Sequence, residues 1–203
     1  GAQTSEIATG STIVCRFNVN EAPYTDVRVR RAAQLAVDNA TVLQLGVNGA
    51  GSVAANFHVG PMHEEFHDIG PSARDADQAR KLLDEAGVTG HEYELISIDD
   101  EWQATTCDAV AGQMRDAGLA VKRTVLPGST FWNNWTKYPF SATEWNGRPL
   151  GVQVLALAYR SGEAWNESGF SDPKFDELLN KALATPDVET RRALMKDIET
   201  ILR

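Results

Sequence analysis

One stretch has residue types and spacing that match a catalytic chemistry outright, His63-Glu64-Glu65-Phe66-His67. In a zinc hydrolase the two histidines of His-Glu-x-x-His hold the metal from one face of a helix. The glutamate polarises a zinc-bound water, and a third ligand arrives from downstream. Here Pro61 and Pro71 bracket the motif and leave about two helical turns at most. The downstream position a third histidine would fill is Ala73. The stretch is expected to be a solvated loop or short turn with an accidental spacing, without peptidase activity. Adventitious metal at His58, His63 or His67 stays open, and a zinc-dependent peptidase is the alternative function to be tested.

Other chemistries find no support. No Ser/His/Asp or Cys/His arrangement stands in a credible context, and Gly49-x-Gly51 precedes a loop where a dinucleotide site needs a helix. Cys15 and Cys107 allow one disulfide at most and form no Cys-x-x-Cys pair, so zinc-knuckle and thioredoxin readings fail. They read as two buried thiols, with an oxidised pair open to an exported protein. No cofactor is implied. The net charge of −9 repels phosphate backbones, which removes nucleic acid as a partner.

At 203 residues with 42% hydrophobic residues, the chain has material for one large α/β unit with its own core. No apolar run reaches the ~20 residues that a membrane-spanning helix requires. The β-branched and aromatic residues of 11–19 predict a strand. Thr25 or Asp26 is placed to cap a helix whose inner face is Val29, Ala32, Ala33, Ala36, Ala40 and Leu43. Residues 46–74 lose periodicity and form a long loop. Helices follow from Asp75 to Ala86 and from Glu101 to Ala117. Each ends in Ala-Gly followed by an apolar residue, the pattern of a left-handed glycine stop. Strands are expected after both, at Tyr93–Ile98 and Leu119–Leu126, with a further strand at Phe140–Trp145. Asp172-Pro173 opens a helix with Phe175, Leu178, Leu179 and Ala182 inside. The last helix buries Leu194, Met195, Ile198, Ile201 and Leu202 and reaches Arg203 with no cap, as in a chain that continues. Helices alternating with strands across short joints predict an α/β fold, a mixed sheet flanked by helices.

Four stretches together resemble the family 5 extracellular solute-binding proteins. They are Asn18-x-Asn20-x-x-Pro23-x-x-Asp26-Val27-Arg28-Val29-Arg30-x-Ala32, Asp75-x-x-Gln78-Ala79-x-Lys81-Leu82-Leu83-x-Glu85-Ala86-Gly87, the run from Gly112-Gln113-Met114 to Ala117-Gly118-Leu119, and Tyr159-x-Ser161-Gly162-x-x-Trp165-Asn166-x-Ser168-Gly169-Phe170-Ser171-x-Pro173-x-Phe175-Asp176. Each alone is weak; their order and gaps are specific. The resemblance implies a type II periplasmic-binding-protein-like fold, with residues 1–203 forming one lobe, the inserted second lobe of a two-lobe protein. It also implies a peptide or similar small-molecule ligand held between lobes, docking on the permease subunits of an ABC importer, and a periplasmic or extracytoplasmic location. Nickel, haem and sugar binders share the scaffold. The partner lobe would lie outside these residues, and so would a signal peptide.

The resemblance places Trp145-Asn146-Gly147-Arg148-Pro149 in the cleft. Peptide-binding members often carry a carboxylate here for the ligand's amino terminus. This chain has no Asp or Glu between Glu144 and Leu150 and has Arg148 instead. A guanidinium suits a ligand carboxylate, or else it pairs an internal acid or sits at the rim. Trp132, Trp135, Tyr138 and Trp165 are candidate apolar walls, with core packing the alternative for Trp132 and Trp135. Asn166 either bonds an extended ligand backbone or shapes its own turn. The expected ligand-binding residues are Trp145, Asn146, Arg148, Trp165 and Asn166, with no metal ligands.

Overall fold

The computed structural model describes residues 2–203. The elements run β1 (Thr12–Phe17), α1 (Val27–Ala36), α2 (Asn39–Val47), α3 (Ala76–Ala86), β2 (Glu92–Ile98), α4 (Glu101–Asp116), β3 (Ala120–Leu126), α5 (Gly128–Asn134), β4 (Phe140–Trp145), α6 (Gly151–Ala158), α7 (Pro173–Leu183) and α8 (Val188–Leu202). The sheet has the order β1-β4-β2-β3. Strand β1 runs antiparallel to β4, with Thr12 opposite Trp145, and β2 runs parallel to both β3 and β4. The expected mixed α/β sheet is present.

Strand periodicity sends alternate residues to opposite faces. On one face Phe140 and Ala142 of β4, Tyr93 and Leu95 of β2 and Cys15 of β1 pack under α1, α3 and α4, in a core with Val29, Leu83 and Met114. Cys15 and Cys107 both lie in this core as free thiols. On the other face Ile96 and Ile98 pack on Phe131 of α5. A separate core joins α6, α7 and α8 around Leu155, Phe175, Leu179 and Met195, with Val59 from the long loop. The two glycine stops form as expected. Gly87 and Gly118 have φ of 70° and 95°, and the amides of Val88 and Leu119 reach back to Leu83 and Met114 carbonyls at 3.2 and 3.0 Å.

Two expectations about the helices need correction. The helix predicted as continuous from Val29 to Leu43 breaks at Val37, which is extended. Asp38 restarts it by accepting the Ala40 and Thr41 amides at 3.3 and 3.1 Å. A buried glutamine makes the break tolerable, because Gln113 receives the Asp38 amide at 2.9 Å and donates to the Asp38 carbonyl at 3.2 Å. The second correction is α6, an eight-residue helix not anticipated in the run after Pro149. Its start is closed by Gln153 Oε1, which accepts the Leu150 amide at 3.2 Å, and by buried Glu65, which accepts the Val152 amide at 3.2 Å.

Candidate functional site

The chain leaves β2 into α4, on one face of the sheet, and leaves β4 towards α6, which belongs to the other core. In open α/β sheets the usual place for ligands is beyond the carboxyl ends of the parallel strands. The loop after β4, Asn146–Leu150, lies at that edge.

Trp145 ends β4 and is buried, its ring fixed by a hydrogen bond from Nε1 to Glu167 Oε1 at 2.8 Å. Glu167, 4% exposed, is a hub. Its Oε2 also accepts from Thr143 Oγ1 at 2.7 Å and from Arg16 Nε at 3.2 Å. Arg16, 6% exposed, also donates from its two terminal nitrogens to the carbonyls of Trp135, at 2.6 Å, and Tyr138. Burial pushes the Glu167 carboxyl up, while the Arg16 charge and the Trp145 and Thr143 donors pull it down. Burial lowers Arg16 in turn, opposed by Glu167. Such a pair adds little net stability against an apolar replacement, but losing one partner is expensive. Its structural effect is to tie β1, β4 and the 165–167 loop together behind Trp145.

Around this anchor the tryptophans form a wall. The ring centroids of Trp135 and Trp145 lie 6.2 Å apart, those of Trp145 and Trp165 6.2 Å, and those of Trp135 and Trp165 6.4 Å, all edge to face. Trp132 adds a fourth ring 5.9 Å from Trp135. Trp132 and Trp165 are 47% and 48% exposed. The outer rings therefore present indole surface, and Trp145 supports them from inside. Behind Trp145, His58 stands edge-on at 5.4 Å and its Nε2 lies 2.9 Å from Tyr159 Oη. Burial holds His58 down to about 4, so it is neutral at pH 7, and pushes the Tyr159 phenol up, with Glu167 adding to the rise.

The loop itself is clamped. Gly147 crosses Gly10 backbone to backbone, so that a Cβ on Gly147 would stand 2.7 Å from the Gly10 Cα. His63 takes the Gly60 amide on Nδ1 at 3.0 Å, which leaves Nε2–H to donate to the Arg148 carbonyl at 3.1 Å. His63 is therefore a buried strut of the loop and not the solvated residue expected from the sequence. Both ring nitrogens are committed, and residues 61–65 form turns where a zinc site needs a helix. Glu64 is exposed and gives its carbonyl to Arg192 at 2.6 Å. Among the described residues no group of three or more His, Cys, Asp or Glu is placed to hold a metal ion.

Of the expected ligand-binding residues, Trp145 and Trp165 come together in the wall. Asn146 is exposed on the clamped loop. Arg148 borders an open groove of about 570 Å³ that runs along α6, lined also by Pro149, Gln153, Ala156, Leu157, Arg160 and Leu183. Asn166 is spent on its own loop. Its amide nitrogen donates to the carbonyls of Arg160 and Phe170 at 3.1 and 2.8 Å, and its oxygen accepts from Ser168 at 3.0 Å. Trp135 faces inward on the wall as well as into the small core below it. Of the residues that hold the wall, Arg16 and Glu167 were not singled out from sequence; His58 was named only for adventitious metal, and Tyr159 only as part of the family resemblance. One signal for Arg16 was available: a charge in a short strand of otherwise apolar and β-branched residues needs a partner.

The family described as bacterial extracellular solute-binding proteins, family 5 Middle, matches residues 2–167. The dipeptide-binding protein DppE of Bacillus subtilis is 21% identical over 201 residues, covering 92% of this chain and 37% of that protein. Heme-binding protein A of Haemophilus influenzae is 25% identical over 201 residues, covering 92% of this chain and 36% of the relative. Among solved structures, the Escherichia coli murein tripeptide binding protein MppA superposes with a TM-score of 0.85 at 23% identity, covering 96% of this chain and 40% of that one. NikZ of Campylobacter jejuni, in complex with Ni(L-His), gives 0.82 at 20% identity, with coverages of 94% and 42%. The chain thus spans little more than a third of the length of these curated relatives, and its fold is part of a type II periplasmic binding protein. With the family matched across most of its length, the chain belongs to the bacterial extracellular solute-binding proteins, family 5.

Proposed function

We propose that residues 1–203 are one lobe, the inserted second lobe, of the solute-binding component of an ABC importer. The lobe contributes the wall of Trp132, Trp145 and Trp165 and the Asn146–Arg148 loop to a cleft that a partner lobe closes over a peptide or similar small solute. One observation carries this reading: a family match over residues 2–167 in a chain covering 40% of a solved relative's length, with indole faces and the Asn146 and Arg148 side chains left without partners among the described residues at the carboxyl edge of the sheet. The closed form would dock on the permease subunits, and the protein would act outside the cytoplasm. The chain binds and does no chemistry in this reading. The peptidase alternative has no observation in its favour, since His63 is committed to backbone on both nitrogens.

The test uses the full-length parent. Native mass spectrometry of the purified protein identifies the solute it carries, whether peptide, metal chelate or haem. Calorimetry with that solute then compares the parent with residues 1–203 alone. In a clamp each lobe supplies part of the contact, while the cost of association, ~4–15 kcal/mol, stays the same. The single lobe should therefore bind weakly or not at all. Equal affinities would show a complete site within this chain and remove the clamp.

A further inference from the structure

We infer that the groove along α6 receives the carboxylate end of the solute, which makes the solute an organic acid with an apolar body. The inference rests on the solute-binding reading above and narrows it to one chemistry.

The observations come from both ends of the groove and from its floor. At one end stands Arg148. Among the described residues it gives only its carbonyl to a hydrogen bond, from His63, so its guanidinium keeps its donors for something else. At the other end Arg160 touches Glu163 with one nitrogen at 3.5 Å, and its Nε is buried with no partner. Between them the lining is largely apolar, through Pro149, Ala156, Leu157 and Leu183, and no acid contributes to it. Arg160 is thus answered by Glu163, and Arg148 is the one cation of the lining with no acid partner among the described residues, on a chain of net charge −9. A lone guanidinium at the end of an apolar groove favours a small anion with hydrocarbon attached.

Preorganisation strengthens the case. The Arg148 backbone is held by His63 and by the Gly10–Gly147 crossing, so the guanidinium is offered from a fixed point and less ordering entropy is lost on binding. Its planar fork matches a carboxylate in a two-point contact. The 145–149 loop has no acid that could take an ammonium group instead. When a partner lobe excludes water, a contact that is weak in the open becomes a desolvated charge-assisted bond.

The test is calorimetry on the full-length parent with three probes. Acetyl-Leu-Leu carries the carboxylate and no amine, Leu-Leu amide carries the amine and no carboxylate, and decanoate carries the carboxylate on plain hydrocarbon. The acids should bind at least about tenfold more tightly than the amide, and Arg148→Gln should remove about that factor for the acids while the cationic amide binds no less tightly than before. Acetyl-Leu-Leu ahead of decanoate places the carboxylate on a peptide, and the reverse order places it on a hydrocarbon acid. Tm should not move, because the Arg148 side chain holds no part of the fold. An amide bound as well as the acids, acids that fail to bind, or an Arg148→Gln variant with full affinity for them overturns the inference. Mass spectrometry of the co-purified solute separates the two levels. A solute without an anionic group refutes this inference and leaves solute binding standing, whereas a parent that carries and binds no solute removes both.

Discussion

Gly10 and Gly147 cross with their backbones in contact, and neither can gain a side chain without moving the other. A Cβ at Gly147 would lie 2.7 Å from the Gly10 Cα and 2.8 Å from its carbonyl carbon and nitrogen. Backbone cannot swing aside as a flexible side chain does. Gly147→Ala should therefore push the 146–149 loop off the start of β1, at a cost of ~1–3 kcal/mol, and move Arg148 with it. Gly10→Ala meets its nearest atom at 3.1 Å and should cost less. Urea unfolding of the two variants checks the order; equal stabilities would mean that the crossing is loose.

The Arg16–Glu167 pair gives a sharper contrast. Arg16→Met leaves the Glu167 carboxylate buried beside Thr143 and Trp145 with no countercharge, and should cost ~3–5 kcal/mol. Adding Glu167→Leu removes the stranded charge, and the double variant should recover most of that loss. Trp145 then loses the acceptor for its Nε1–H, so tryptophan emission should shift in the double variant even where stability returns. A double variant no more stable than Arg16→Met would show that the pair contributes net attraction and not only geometry.

Glu199 on α8 is fully buried, and neither carboxyl oxygen has a partner. Burial, with Asp68 adding repulsion, pushes it up to about 8 from an ordinary 4.5. The folded state therefore holds this proton more tightly than the unfolded one. Its contribution to stability is whole below about 4.5 and is lost as pH rises to about 8. His58 acts in the opposite sense. Its folded value is held down to about 4 from 6.5, so its share is present above 6.5 and lost as pH falls towards 4. Comparing Glu199→Gln with the parent at one pH at a time cancels the His58 effect. The variant should gain ~1–3 kcal/mol at pH 8, roughly 2–10 °C in Tm, and nothing at pH 4. A gain of the same size at both would assign it to packing.

The legible parts of the structure were those in which local chemistry decides alone. Asp26, Asp75 and Asp172 cap their helices, Gly87 and Gly118 stop theirs, and Phe140–Trp145 is a strand, because caps, left-handed glycines and alternation act over a few residues. The misread parts depend on partners distant in sequence. Apolar spacing runs on from Ala36 to Leu43, and the break at Asp38 is made acceptable by Gln113, Arg74 and Asp75, all distant in sequence. Helix α6 is short and apolar, and Glu65 and Gln153 supply what its start lacks. The same holds at the site. Trp145, Trp165 and Arg148 could be named from the resemblance, but Glu167 looks like any loop glutamate until Arg16, from β1, reaches it.

The break between α1 and α2 yields the last test. The amide and carbonyl of Asp38 are both satisfied by the Gln113 side chain, and the end of α1 is closed by Arg74 Nε on the Ala36 carbonyl at 2.9 Å and the Asp75 amide on the Leu35 carbonyl at 2.8 Å. Gln113→Leu keeps the volume but orphans both Asp38 groups, which should cost about 1–3 kcal/mol for each that stays dry. The chain has one escape, to let α1 run straight through Val37 and Asp38 into α2, since the apolar spacing already favours it. That would abandon the Asp38 cap on Ala40 and Thr41 and pull the Ala36 carbonyl off Arg74. Three contacts then oppose one helical turn, so the variant should keep its break and lose stability. Adding Asp38→Ala removes the cap and tips the balance, and only the double variant should show continuous helical NMR shifts from residue 27 to residue 47. A continuous helix in Gln113→Leu alone would mean that Gln113 creates the break and does not merely accommodate it.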